Sequence, residues 1–413
     1  MHFDIEPSLP RARGQGRPCL EVADIFRAHG EAYRKKHALS DQRRKVMRAI
    51  EICRTAALGG HLDVCPKCGD AQPAYNSCRD RHCPKCQALR QAKWIAERQK
   101  RILPTRHFHV VFTIPEQLKP LARQNRARFF ALLFESAANT LLTLGADPKR
   151  LGGQLGITAV LHTWTRDLKF HPHVHCVVTG GGLNEDGDRW IAARRRYLFP
   201  AKVLSRLFRG KLLAAVEKAW CRGELICPQL NESKAFAHFK DTLYKKKWVV
   251  YAKEPFGGGK EVFNYLGRYT HRVAISNQRL LSMNEDGIRF VTRGTKTATL
   301  TPEQFIGRFL QHVLPERFVK IRHFGLLAAG NVHSKLETAR RLLEPEPPAL
   351  PPLVIALIAL FAALRPPTPS PPPMMGWRER LLLLTGFDPM CCPVCGGIRI
   401  RLPLHSPRAL DSS

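Results

Sequence analysis

Three histidines in five residues, His171, His173 and His175, lead into the apolar run Cys176-Val177-Val178. Side chains alternate along an extended strand, so His173 and His175 leave one face and can share a metal ion while Val174 points the other way. A third ligand should lie on a neighbouring strand. If the chain turns back with Arg166 opposite His171, His162 falls opposite His175 on the same face. Imidazoles with open positions beside them suit a divalent cation that polarises a phosphate oxygen. Magnesium or manganese would do this work, although ligand affinity alone would favour zinc.

A second constellation is Asn264-Tyr265-Leu266-Gly267-Arg268-Tyr269-Thr270-His271-Arg272. On a helix, Tyr265 and Tyr269 are one turn apart and present both hydroxyls from one face. A phenol with a pKa near 10 is a poor nucleophile unless a metal or a cation assists its oxygen, and Arg268, His271 and Arg272 bring positive charge. Attack on a phosphodiester would give a covalent phosphotyrosine and release a sugar hydroxyl. The bland alternative is a half-buried packing pair.

The third constellation is made of thiols. Cys65-x2-Cys68 and Cys83-x2-Cys86 flank a short loop that contains Cys78. Two such pairs can fold into a tetrahedral structural zinc site, so Cys65, Cys68, Cys83 and Cys86 are the expected ligands. Cys53, His61, Cys78 and His82 are secondary candidates, for a second zinc or as substitutes. Four thiolates leave no open position, so this zinc has no catalytic role. A late CCPVCGG offers one more pair, for which Cys391 or His405 would have to supply further ligands.

Charge identifies the partner. The 413 residues hold 66 lysines and arginines against 34 acidic residues, a formal charge of +32, and an excess of that size calls for a polyanion. Between Arg79 and Arg106 nine basic residues face only Asp80 and Glu97. Arg79, Arg81, Lys85, Arg90 and Lys93 in that stretch, with Arg268 and Arg272, are the expected DNA contacts. Met1 to Leu9 carries two acidic residues and lacks the apolar run of a signal peptide, so a reducing cytosol is expected. The longest apolar run, Leu353 to Leu364, has 12 residues. That is short of the about 20 that a membrane span needs, and no membrane partner is expected.

The elements that must position these groups follow from periodicity. Leu20 to Cys53 is helical, HFHVVFTIP is a strand, and Glu116 to Leu144 is a helix. ITAVLHTWT, HVHCVVTGG and KWVVYAK are strands, EVFNYLGRYTHR a short helix, and RVAISN and GIRFVTR a closing strand pair. The result is an α+β protein, a mixed sheet with helices behind a small helical zinc domain. The expected succession is a zinc-binding, DNA-recognition domain over 17–106, a catalytic domain over 107–341, a proline-rich linker over 342–380 and a short tail over 381–413.

In the order CPKCG, YNSCRDRHCPKCQ, HPHVHCVV and YLGRYTHR, these motifs resemble the two-tyrosine rolling-circle transposases of the insertion sequence ninety-one type, within the HUH endonuclease class. The resemblance runs from Arg17 to Arg341. It implies an antiparallel HUH-type sheet whose histidine strand faces the tyrosine helix, with His173 and His175 as metal ligands and Tyr265 and Tyr269 as nucleophiles. It further implies cleavage of single-stranded DNA at the element's ends through a 5′-phosphotyrosine, and transfer to a target strand. The rivals are a non-catalytic zinc DNA-binding protein, and a replication initiator or relaxase with the same chemistry. A three-carboxylate transposase lacks an acidic constellation here.

Overall fold

The computed structural model describes residues 20–86, 97, 101–194, 197–256, 273–344, 376, 378–379, 382, 386 and 388–404. In chain order these form helices α1 (Val22–Lys36) and α2 (Asp41–Glu51), strands β1 (Gly60–Val64), β2 (Ala71–Tyr75) and β3 (His107–Thr113), and helices α3 (Lys119–Gln124) and α4 (Arg126–Ala146). Strands β4 (Gln154–Trp164), β5 (Phe170–Leu183) and β6 (Trp190–Ala192) precede helices α5 (Ala201–Cys221) and α6 (Ser233–Lys245). Then come β7 (Val250–Phe256), β8 (Leu280–Asn284), β9 (Gly287–Arg293), β10 (Lys296–Leu300), α7 (Pro302–Leu310), β11 (Ile321–Gly325), α8 (Lys335–Leu343) and β12 (Ile400–Leu404). The fold is α+β, with antiparallel sheets and helices.

Two compact units divide the chain, and both are discontinuous in sequence, unlike the linear succession read above. One takes Met1–Glu51 and Arg79–Leu343, the other Ile52–Cys78 and Glu344–Ser413.

The larger unit is organised by an antiparallel sheet of order β11-β4-β5-β3-β7, with β6 paired to β5. Alternation sorts its side chains. Phe108, Val110 and Phe112 of β3 and Val174, Cys176 and Val178 of β5 join Phe129, Phe130 and Phe134 of α4 and Phe208 of α5 in one core. Their neighbours in sequence, including the histidines, take the opposite face. By length and composition α4 is apolar enough to cross a membrane, but its Phe129, Phe130, Leu133 and Phe134 are fully buried in this core. The helix expected over Glu116 to Leu144 is interrupted at Asn125. There the backbone leaves the helical region (φ −113°, ψ 44°), and the side chain donates to Leu121 O and Ile226 O and accepts from Ile226 N. An Asn that can bond the backbone locally competes with the helix, and here it ends one.

Helix α1 docks on α7 through Phe26, which meets Phe309 edge-on at 5.3 Å between centroids. The closing strand pair is displaced from its expected place. GIRFVTR is β9, but its partners are β8 and β10 in a separate three-stranded sheet, and the described part of RVAISN, residues 273–277, forms no strand. Ala274 sits at φ 58° and Ile275 N bonds back to Val273 O at 2.7 Å, which breaks the extended run.

In the smaller unit β1 lies between β12 and β2, with Gly60 opposite Leu404 and Val64 opposite Ile400. Among its described residues the only fully buried hydrophobic side chains are Cys53, Cys65 and Cys392.

Candidate metal centre

Strand β5 is the middle of the sheet and carries His173 and His175 on the face away from the phenylalanine core. Strand β4 adds His162. Ring nitrogens of these three buried histidines all lie within 4.8 Å of one another. The register differs from the expected one by two residues: His162 stands opposite His173, and Val160 opposite His175. The turn is tighter than supposed. Thr165 N bonds Lys169 O at 3.0 Å, Leu168 takes φ 64°, and the ladder is irregular between His162 and Trp164. A two-residue shift preserves parity, so His162 keeps its face. The turn is braced by His312, which donates from Nε2 to Leu168 O (3.1 Å) and accepts at Nδ1 from the Thr163 hydroxyl (3.2 Å). Trp164 stacks on His162 at 4.7 Å.

Hydrogen bonds orient the rings. His173 Nδ1 donates to His171 O at 2.6 Å, which leaves Nε2 as its ligand atom. His175 Nδ1 meets His109 Nε2 at 2.8 Å, and the two rings are nearly parallel, 11° apart. That contact commits Nδ1 of His175 and selects Nε2 for ligation, the arrangement by which outer partners fix a ligand's tautomer. Burial pushes His173 down to about 3 and His175 well below the usual imidazole value. Both are therefore uncharged at neutral pH, so a metal displaces no proton from them. A set of neutral imidazoles suits manganese better than magnesium, which prefers oxygen ligands.

His109 on β3 was not singled out in the sequence, although HFHVVF places His107 and His109 at the same period-two spacing. Burial lowers His109 to about 3, helped by the charge of Lys253. Lys253 and Tyr251 of β7 stand opposite His109 and Val111, so they share the histidine face.

Tyr265, Tyr269, Arg268 and Arg272 lie outside the described residues, as do Arg90, Lys93 and His405. Arg79 is exposed, at φ 55°. The half-buried guanidinium of Arg81 donates to Phe318 O (2.5 Å) and Pro315 O (2.8 Å). Lys85 is mostly covered and paired with Glu21. Both cations have internal partners, two carbonyls for Arg81 and a carboxylate for Lys85.

The thiols regroup. Cys65 and Cys68 assemble with Cys392 and Cys395, all four sulfurs within 4.8 Å of one another, so the expected quartet with Cys83 and Cys86 is not the one formed. Cys83 is buried and Cys86 half-buried in the larger unit, whereas Cys53, buried, and Cys78, half-buried, belong to the smaller one. His82 is committed elsewhere: Nδ1 bonds Asp80 at 2.9 Å and Nε2 accepts from Leu314 N at 3.2 Å. His61 pairs with Asp63 at 3.5 Å. Cys391, considered as a ligand from sequence, is exposed and stands apart from the four.

Comparison with known proteins places the chain in a family. Residues 156–335 match a model described as "Putative transposase", and residues 25–114 match one described as "Transposase zinc-binding domain". A protein of Sinorhizobium fredii named "Putative transposase y4qJ" is 46% identical over 386 residues, covering 91% of this chain and 92% of its own. The transposase for insertion sequence element IS801 of Pseudomonas savastanoi pv. phaseolicola is 29% identical over 367 residues, 83% of this chain and 79% of its own. A metal-bound structure of the conjugative relaxase TrwC in complex with oriT DNA aligns at 14% identity and a TM-score of 0.22, over 40% of this chain and 71% of that one. With both models matched in order and a near-full-length relative, the chain belongs to the insertion sequence ninety-one family of transposases, zinc-binding domain included.

Proposed function

We propose that this transposase nicks and rejoins single-stranded DNA at its element's ends by metal-assisted tyrosine chemistry, in rolling-circle transposition. The observation that carries the reading is the cluster of His162, His173 and His175 on one face of the antiparallel sheet. Manganese or magnesium bound there supplies Lewis-acid polarisation of a non-bridging phosphate oxygen. The three imidazoles hold their positions because strand register and buried hydrogen bonds fix them. Tyr265 or Tyr269 attacks phosphorus through its phenolate oxygen. The phenol's proton passes to solvent as it attacks, the bond from phosphorus to the 3′ oxygen breaks, that oxygen takes a proton from solvent to leave as a 3′ hydroxyl, and the 5′ phosphate stays on the tyrosine. The phosphotyrosine conserves the bond energy for rejoining, and the second tyrosine permits a second exchange. Arg79, Arg268 and Arg272, with Arg90 and Lys93, serve the phosphate backbone.

The test is end-labelled single-stranded DNA bearing the element's terminus, incubated with the protein and manganese or magnesium and run on a denaturing gel. A covalent adduct is expected with the unsubstituted chain. It should disappear in the Tyr265→Phe/Tyr269→Phe double variant and in His173→Ala. Binding without any adduct, on correct ends, would replace this reading with that of a non-catalytic zinc DNA-binding protein.

A further inference from the structure

We infer that Cys65, Cys68, Cys392 and Cys395 together hold one structural zinc ion, so that the C-terminal tail completes the zinc-binding unit. The matched zinc-binding region ends at residue 114, and half of this ligand set lies far beyond it.

The two halves are the same local structure built twice. Cys65-Pro66-Lys67-Cys68-Gly69 and Cys392-Pro393-Val394-Cys395-Gly396 share the pattern CPxCG. In the first, Cys65 N donates to Asp70 O (2.8 Å) and Gly69 N to Cys65 O (2.9 Å). In the second, Cys392 N donates to Gly397 O (2.8 Å) and Gly396 N to Cys392 O (2.9 Å). The offsets are identical, and Gly69 and Gly396 sit at φ 76° and 71°, a backbone that glycine adopts without strain. Each turn points two sulfurs inward. The pairs then interlock, Cys65 Sγ with Cys395 Sγ at 3.5 Å and Cys68 Sγ with Cys392 Sγ at 3.6 Å. Tetrahedral zinc with Zn–S of about 2.3 Å requires sulfurs about 3.8 Å apart, whereas a disulfide needs about 2.05 Å.

The surroundings are shaped for this set. A Cβ at Gly397 would come within 3.3 Å of both Cys395 Sγ and Cys65 Sγ, so the missing side chain makes room for the sulfurs. Strand β12 pairs along the whole of β1, Arg401 Nε meets Asp63 Oδ1 at 2.8 Å, and the buried Arg399 pairs with Asp70 beside Cys392. A tetrathiolate zinc carries net negative charge, and Arg399 lies where it offsets it. Four soft donors in a closed tetrahedron suit zinc and leave no position for substrate.

The experiment uses the full chain. Metal analysis of Cys392→Ser/Cys395→Ser should show about one zinc fewer per chain than the parent, while Cys391→Ser leaves zinc unchanged. Zinc content equal to the parent's in the double variant would overturn the inference. A second measurement needs no substitution: pulse alkylation with N-ethylmaleimide, mapped by mass spectrometry. Cys391 should label at once, while Cys65, Cys68, Cys392 and Cys395 stay protected together and open together when a chelator is added. Labelling of Cys392 and Cys395 while Cys65 and Cys68 remain protected would equally overturn it. Neither readout involves DNA cleavage, so both stand apart from the tyrosine chemistry.

Discussion

The histidine face and the cysteine knuckles are both metal-ligating clusters, yet what holds each is opposite. Around the histidines the protein is built first: a sheet backed by Phe108, Phe112, Phe129, Phe130 and Phe134 fixes three imidazoles whether or not an ion is present. The knuckle unit has no such backing. Val394, Ile398 and Ile400 are exposed, and its buried apolar groups are themselves cysteines. Burial of a few thiols cannot offset the conformational entropy of ordering the segment, so the ion must supply the difference. One site is a rigid scaffold that accepts a metal; the other is a metal that makes a scaffold.

Removing zinc should break this contrast most visibly. Structural zinc contributes about 10–16 kcal/mol to folding in small zinc modules. Chelation should therefore abolish hydrogen-exchange protection in Gly60–Val64 and Ile400–Leu404 while His107–Thr113 and Phe170–Leu183 remain slow. Equal loss in both regions would show that the sheet, too, depends on metal. The reverse experiment is Phe112→Ala. This side chain is fully buried and packs on Phe208 at 4.8 Å, so the larger unit should lose about 3–5 kcal/mol in denaturant titration with zinc content unchanged. A smaller effect sharpens the account of the histidine face. His109→Ala removes the partner of His175 Nδ1 and should weaken manganese binding about 10–100-fold by calorimetry. Unchanged affinity would mean that the strand alone orients His175. The mildest change is Gly69→Ala, which meets open space but forces alanine to φ 76°. It should cost about 1 kcal/mol, read as an earlier midpoint in chelator competition.

What was legible in the sequence follows the range of the interaction. His173 and His175 are two residues apart, and strand periodicity alone puts them on one face. His162 is reached across one hairpin, and its face was right although its register was two residues off, because parity survives such a slip. His109 is 66 residues from His175, and nothing local says which strand β3 will join. RVAISN has the composition of a strand but turns at Ala274, a conformation that its sequence does not advertise. The thiol pairing failed for the opposite reason. Cys83-x2-Cys86 was the nearer partner for Cys65-x2-Cys68, and proximity outweighed the exact repetition of CPxCG at Cys392.

The pairing of β1 with β12 also imposes an order in time. Cys68 and Cys392 are 324 positions apart. At about 5–20 residues per second, synthesis takes on the order of 20–60 s to cross that interval. Until then β1 presents an unpaired edge and two thiols without their mates, a state open to wrong partners and to oxidation. Any frameshift or premature stop before residue 392 leaves the chain in that state. Such a chain lacks two of the four clustered thiols and the strand that pairs with β1, so its first CPxCG turn stays without its counterpart.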